Sequence, residues 1–122
     1  MHVDELLELC GGLPGVWPDH PWEDHEHPVF KVGPAEKGKI FAFASTHKVG
    51  VKSGATREVA DEWLHRYPDD ASVMAYIGRS GWNDLTLDGA IPDEELVEAV
   101  QDSYRLVVGK LPRKHRPDGW EP

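Results

Sequence analysis

The sequence predicts an α+β domain of two layers, a mostly antiparallel five-stranded sheet covered on one face by helices. Two patterns and one absence carry that expectation. Leu96, Val97, Val100, Tyr104, Val107, Val108 and Leu111 recur at steps of three and four, which gives one long helix a continuous apolar face. The segments VFKV (29–32), KIFAFA (39–44) and VGVK (49–52) are short, rich in Val, Ile and Phe, and separated by turn-forming stretches, as expected of an antiparallel meander. No apolar run approaches the roughly 20 residues that span a bilayer. A chain of 122 residues, 39% hydrophobic, is long enough for a single core.

The elements follow in order. Val3, Leu6, Leu7 and Cys10 fall at helical spacing, and Gly11-Gly12 closes this first helix. Cys10 then reads as a small buried hydrophobe, and a lone cysteine excludes an intrachain disulfide framework. Residues 13–28 contain four prolines, so they are expected to form an ordered connection anchored by Trp17 and Trp22, neither a helix interior nor a central strand. After the meander, residues 56–67 return to helical period, with Val59, Ala60, Trp63, Leu64 and Tyr67 inward and Arg57, Glu58, Asp61, Glu62 and Arg66 outward. Residues 72–77 and 82–87 supply two further strands, and Asp88-Gly89 turns the chain into the long helix. Pro92 presets the first turn of that helix, and Asp93, Glu94 and Glu95 suit its positive end. Residues 1–116 are expected to be one domain and 117–122 a mobile tail. The acidic N-terminus lacks the regions of a signal peptide, so a cytoplasmic protein is expected.

The block RSGWNDLTLDGAIPDEELVEAVQDSYRLVVGKLPRK resembles the C-terminal signature of the MmcQ/YjbR-like family: a basic residue three before a Trp, Leu-Asp-Gly, a Pro-Asp helix start, Ser-Tyr, and a Leu-Pro-basic ending. The likeness extends upstream to Leu13-Pro14-Gly15, Pro21-Trp22, VFKVG, Lys39-Ile40-Phe41-Ala42 and Val51-Lys52, so it covers roughly the whole chain. Two departures stand out. Gly81 replaces the family's usual His before the Trp, and Ser53-Gly54-Ala55 replaces a frequent Pro. The resemblance implies a two-layer double-wing fold and a non-enzymatic DNA-binding protein, with Lys52, Arg79 and Trp82 at the family's recurrent Lys, basic and Trp positions.

Charge divides the functional readings. The net charge of −9 disfavours a general grip on polyanions, but the charges are segregated. Between Pro28 and Arg57 stand Lys31, Lys37, Lys39, Lys48, Lys52 and Arg57 against the single acid Glu36, and residues 105–116 add five basic residues and no acid. Residues 58–104 hold twelve acids against Arg66 and Arg79. An acidic protein with one basic face follows if the two basic segments meet in space. On that reading Lys31, Lys39 and Lys52 contact phosphates from an open sheet face, while Arg79 and Trp82 meet a base at the neighbouring turn. Lysines also serve simply as the solvated side of a sheet, and a Trp beside a helix is commonly core. DNA is therefore the expected partner of a monomer. The alternative is a module for a protein or small ligand with no nucleic-acid role; no membrane or cofactor is implied.

Two other chemistries suggest themselves. Asp19, His20, Glu23, Asp24, His25, Glu26 and His27 crowd one loop. A structural zinc site wants four closed ligands, usually including thiolates, so the loop reads as solvated acid and no metal is assigned. A transition-metal site from His20, His25 and a carboxylate is the alternative, with His27 nearby. Ser45, Thr46 and His47 are adjacent, but neighbours in sequence do not form a triad, and no nucleophile elbow or phosphate loop is present.

Overall fold

The computed structural model describes residues 1–22 and 26–122, so His25, Glu23 and Asp24 of the candidate metal loop lie outside the described residues. Among the described residues three helices are formed, α1 (Val3–Gly11), α2 (Arg57–Arg66) and α3 (Asp93–Lys110). The strands are β1 (Val16–Asp19), β2 (Val29–Val32), β3 (Lys39–Ala44), β4 (Lys48–Lys52), β5 (Ala71–Val73) and β6 (Trp82–Thr86). They make one sheet in the order β1-β2-β3-β4-β6-β5, and every pairing is antiparallel.

The sheet thus has six strands where five were expected. The additional strand, β1, contains Pro18, and it sits at an edge, where a missing amide proton breaks no inner ladder. Strand β5 stops at Val73, short of the expected Ile77. The chain leaves the sheet because Tyr76 adopts a left-handed backbone (φ 65°) and residues 78–80 coil into a 3-10 turn.

Alternation of side chains divides the sheet except at a bulge in β3, where Phe41 and Ala42 are both buried. Phe30, Val32, Ala42, Val49, Val51 and Leu85 are buried together with Leu96, Val100, Tyr104 and Val108 of α3 and with Leu6 and Cys10 of α1. Helix α3 therefore supplies the centre of the core, as its apolar stripe requires.

Helix α2 keeps most of its expected setting, with Ala60 buried and Trp63, Leu64 and Tyr67 packed on the core, but two residues depart from it. Val59 is 55% exposed, although it packs beside Gly54, and Ala60 is the buried residue of that helix. Arg57, expected outward, turns in. It donates to Asp61 Oδ1 (2.7 Å), Gly78 O (2.7 Å), Trp82 O (3.0 Å) and Asn83 Oδ1, while buried Asn83 donates to Ala60 O (2.9 Å). A polar staple outranks a valine here because it supplies a donor to the buried Asn83 side-chain oxygen and a second donor to the Gly78 and Trp82 carbonyls, which also accept from Gly81 N–H and Met74 N–H.

A second polar joint holds α3 to the sheet. The β3–β4 ladder ends at Ala42↔Val51, and β2 pairs with β3 through a bulge that leaves Phe41 unmatched. Beyond that point the Ser103 hydroxyl, fully buried, donates to Phe41 O (2.6 Å) and accepts from Lys52 N–H (2.9 Å). It bridges the two backbone groups that would bond directly if the ladder continued.

The C-terminal segment, expected to hang free, lies against the body. Arg116 donates to Leu111 O and Gly109 O and stacks over Trp120, and Trp120 packs on the core.

Ser103→Ala leaves Phe41 O and Lys52 N–H without their bridge, so urea unfolding is expected to show a loss of about 2–4 kcal/mol. A loss well under 1 kcal/mol would mean that β3 and β4 simply close onto each other. Cys10 has no exposed surface, and burial pushes its thiol up to about 12. A disulfide exchange reagent at pH 8 should label it only as fast as the protein unfolds globally; rapid labelling of the native protein would contradict that burial.

Candidate nucleic-acid interface

The end of α3, the start of β3 and the end of β4 enclose a groove of about 730 Å³. It opens where the Ser103 bridge replaces the direct β3–β4 ladder. Lys39 and Ile40 come from β3, Lys52 from β4, Trp82 from β6, and Leu106, Val107 and Lys110 from α3. Lys37 and His115 add to the rim. The two basic stretches of the sequence meet here. The acids of α3, from Asp93 to Asp102, lie in its first ten residues, away from this end.

Lys52 is the unusual member. It is only 6% exposed, and its ammonium donates to Ser80 O (2.7 Å). Among the described residues it has no carboxylate partner, and the Lys110 ammonium is near enough to repel it. Burial first, and Lys110 second, hold Lys52 below the ordinary lysine range. The one acid lining the groove, exposed Glu36, forms no ion pair among the described residues.

The remaining candidates are placed as follows. Arg79 is exposed on the 78–80 turn, next to the carbonyl that anchors Lys52, and makes no ion pair among the described residues. Trp82 is half-buried, set edge-to-face on Phe43 with ring centroids 5.7 Å apart, and forms part of the groove. Lys31 is not in the groove. Its ammonium pairs with Asp19 (2.7 Å) and lies over the Trp17 ring (5.4 Å), so its charge is matched by a carboxylate that it holds below the usual range. The five predicted positions therefore do not form one flat basic face. Lys39, Lys52 and Trp82 share the groove, Arg79 flanks it, and Lys31 stands apart.

Residues 37, 110 and 115 do not stand out singly in the sequence; the charge count of the two segments is the signal that contains them. The open sheet face itself is largely apolar, with Val29, Ile40 and Phe43 lining a separate cleft of about 540 Å³.

Among the described residues no group of three or more His, Cys, Asp or Glu is placed to hold a metal. His27 bonds Thr46 Oγ1 (3.1 Å), and His47 faces Asp88 (3.3 Å) while Ser45 Oγ donates to Lys48 O (2.9 Å), so Ser45 and His47 are not paired.

A family model described as YjbR matches residues 11–106. The chain belongs to the YjbR family. It is 26% identical over 119 residues to the uncharacterized protein YjbR of Escherichia coli K12, covering 95% of both chains. A crystal structure of a Deinococcus radiodurans protein with a DUF419 domain superposes with a TM-score of 0.82 at 27% identity, covering 99% of this chain and 95% of that one. A crystal structure of a Pseudomonas syringae protein shares the fold, with a TM-score of 0.66 at 16% identity over 88% of this chain and 99% of that one. Among the described residues no helix is long and apolar enough to cross a membrane.

The two departures from the YjbR pattern touch each other. Gly81 has φ 98°, and a Cβ there would stand 2.3 Å from Gly54 O. Ser53 N–H donates to Gly81 O (2.7 Å) in the same contact. The glycine in one segment therefore accommodates the glycine-containing loop that replaces proline in the other. Gly81→Ala is expected to destabilise the domain by about 1–3 kcal/mol through strain and collision. Thermal unfolding measures this, and an unchanged melting temperature would show that the two loops separate freely.

Proposed function

We propose that this YjbR-family protein is a non-enzymatic nucleic-acid-binding module that takes DNA phosphates in the groove at the end of the sheet. The observation that carries the reading is Lys52. A nearly buried ammonium beside a second one, with no carboxylate among the described residues to neutralise either, is costly unless an anion completes the site. Lys39, Lys37 and His115 extend the positive field along the rim, and Lys110 stands at the C-terminal end of α3, where the helix dipole favours a cation. Trp82 offers a ring on which a base stacks. Arg79, exposed at the adjoining turn, reaches the same strand of nucleic acid from the side. The acid-rich remainder of the molecule repels DNA and so restricts contact to this end. Lys31 contributes little, because its charge is already matched by Asp19.

The test is fluorescence anisotropy with labelled duplex and single-stranded DNA at two salt concentrations. A footprint of three or four phosphates gives a log–log salt slope of about −3. Lys39→Glu/Lys110→Glu should weaken binding at least tenfold and flatten the slope, Arg79→Ala should cost a few-fold, and Lys31→Ala should change little. Absence of binding to either probe at low salt and high micromolar protein would overturn the proposal.

A further inference from the structure

The cleft on the open sheet face is a second recess with different chemistry. Its floor is Val29, Ile40 and Phe43, and the segment from Met74 to Ile77 forms one wall. That wall reaches the sheet because β4 has Gly50 at this point; a Cβ there would lie 2.9 Å from the Met74 sulfur. Trp22 also lines the cleft. At about 540 Å³ the space is the size of a small-molecule pocket, and a mainly apolar lining with a few polar groups is usual for one.

Tyr76 marks the rim. Its side chain is fully exposed, and its backbone is held at φ 65°, a conformation unfavourable for an aromatic residue. A glycine there would remove the strain, and no packing in the free protein repays the ring. Backbone strain of this kind clusters at ligand clamps and active sites.

The polar groups select the ligand's charge. Among the described residues Asp84 is the only carboxylate lining the cleft. Its side chain is 21% exposed and fixed on β6, whereas its partner Lys48 is 58% exposed and stands 3.5 Å away, a loose pair that solvent already weakens. Lys48 lines the cleft as well, but its exposed ammonium meets an anion out in solvent, whereas the Asp84 carboxylate is fixed in the wall. A ligand cation takes the Asp84 carboxylate, lets Lys48 swing into water, and gains from the aromatic rings of Phe43, Tyr76 and Trp22. The net charge of −9 attracts the same sign.

We propose that the open-face cleft binds a small organic cation, an alkylated or aromatic ammonium compound, with Asp84 as counter-ion and Tyr76 as part of an aromatic cage. The site is distinct from the basic groove and does not depend on its function.

The probe is benzyltrimethylammonium chloride, titrated into the full chain and followed by amide correlation NMR, with sodium phenylacetate as the anion of similar shape. The cation should give saturable shifts at Gly50, Asp84 and the 75–77 amides, and phenylacetate none. Asp84→Asn should weaken binding at least tenfold, and Lys48→Ala should tighten it about threefold. Tyr76→Gly should weaken binding severalfold without lowering the melting temperature, a combination that a purely structural tyrosine would not give. Equal binding of phenylacetate, saturable shifts confined to other surfaces, no saturable shifts at all, or full affinity in Asp84→Asn would each overturn the proposal.

Discussion

The fold turns on one buried hydroxyl. Ser103 projects from the middle of α3 into the seam between β3 and β4 and completes the backbone bonding of Phe41 and Lys52. Its effect is geometric as much as energetic. With Phe41 bulged out of the ladder, both Phe41 and Ala42 turn toward the helices, and Phe41 packs edge-to-face on Tyr104 at 5.4 Å. The two central strands then part at the end of the ladder, and the groove occupies that parting. An apolar residue at 103 would exclude water from the seam equally well, but it would leave a buried donor and acceptor without partners. The neighbouring Tyr104 works in the same way, since its hydroxyl donates to Pro14 O (2.6 Å) and ties the entry of β1 to the same turn of α3.

The groove inherits its charge from the direction of α3. Carboxylates crowd the first turns of the helix and a lysine follows at its end, so the side-chain charges oppose the helix dipole at each end and are stabilised there by it. The acidic end is itself organised: Glu95 accepts from Tyr67 OH (2.6 Å) and pairs with Arg66, which locks the end of α2 to the start of α3. Acids used in this way stabilise the helix junction and remain far from the lysines. Most of the excess negative charge is thus a feature of the helical layer, and the sheet's lysines escape neutralisation only where no strand partner carries an acid. Lys31 and Lys48 reach acids set diagonally on the neighbouring strand, Asp19 and Asp84, while Trp17 and Thr86 stand directly opposite them; Lys52 has Trp82 opposite and no ion pair among the described residues.

That last distinction explains what the sequence could reveal. The period of α3 and the alternation of β2 to β4 depend on residues near one another in the chain, so they were legible. Strand β1 was not, because Pro18 weighs against a strand unless one knows that it lies at the sheet edge. Arg57 reads as an outward charge on a helix; only the arrival of Gly78 O, Trp82 O and Asn83 from a distant segment makes the inward setting favourable. The lysines were legible as a group and illegible singly. Whether a strand lysine faces an acid, a tryptophan or a helix end is decided by register across strands, and register is a property of the assembled sheet. The family resemblance singled out Lys52 and Trp82, which line one groove, without saying that Lys52 would be buried.

The two recesses adjoin, which bears on how the molecule is used. Ile40 lines both, and the Phe43–Trp82 contact joins the floor of one to the wall of the other. Adjacency is not coupling. Binding in the cleft alters the groove only if a ligand favours one of two positions of the Phe43–Trp82 pair over the other. The pair is held unequally. Trp82 is fixed through its backbone, since its carbonyl accepts from Arg57 and from Met74 N–H, while its ring is only half-buried. Met74 in turn lies over Gly50 at the cleft wall. The same short segment therefore bears on the cleft through the Met74 side chain and on the groove through the Met74 amide. That hydrogen bond is a second physical connection between the recesses, beside the Phe43–Trp82 ring contact.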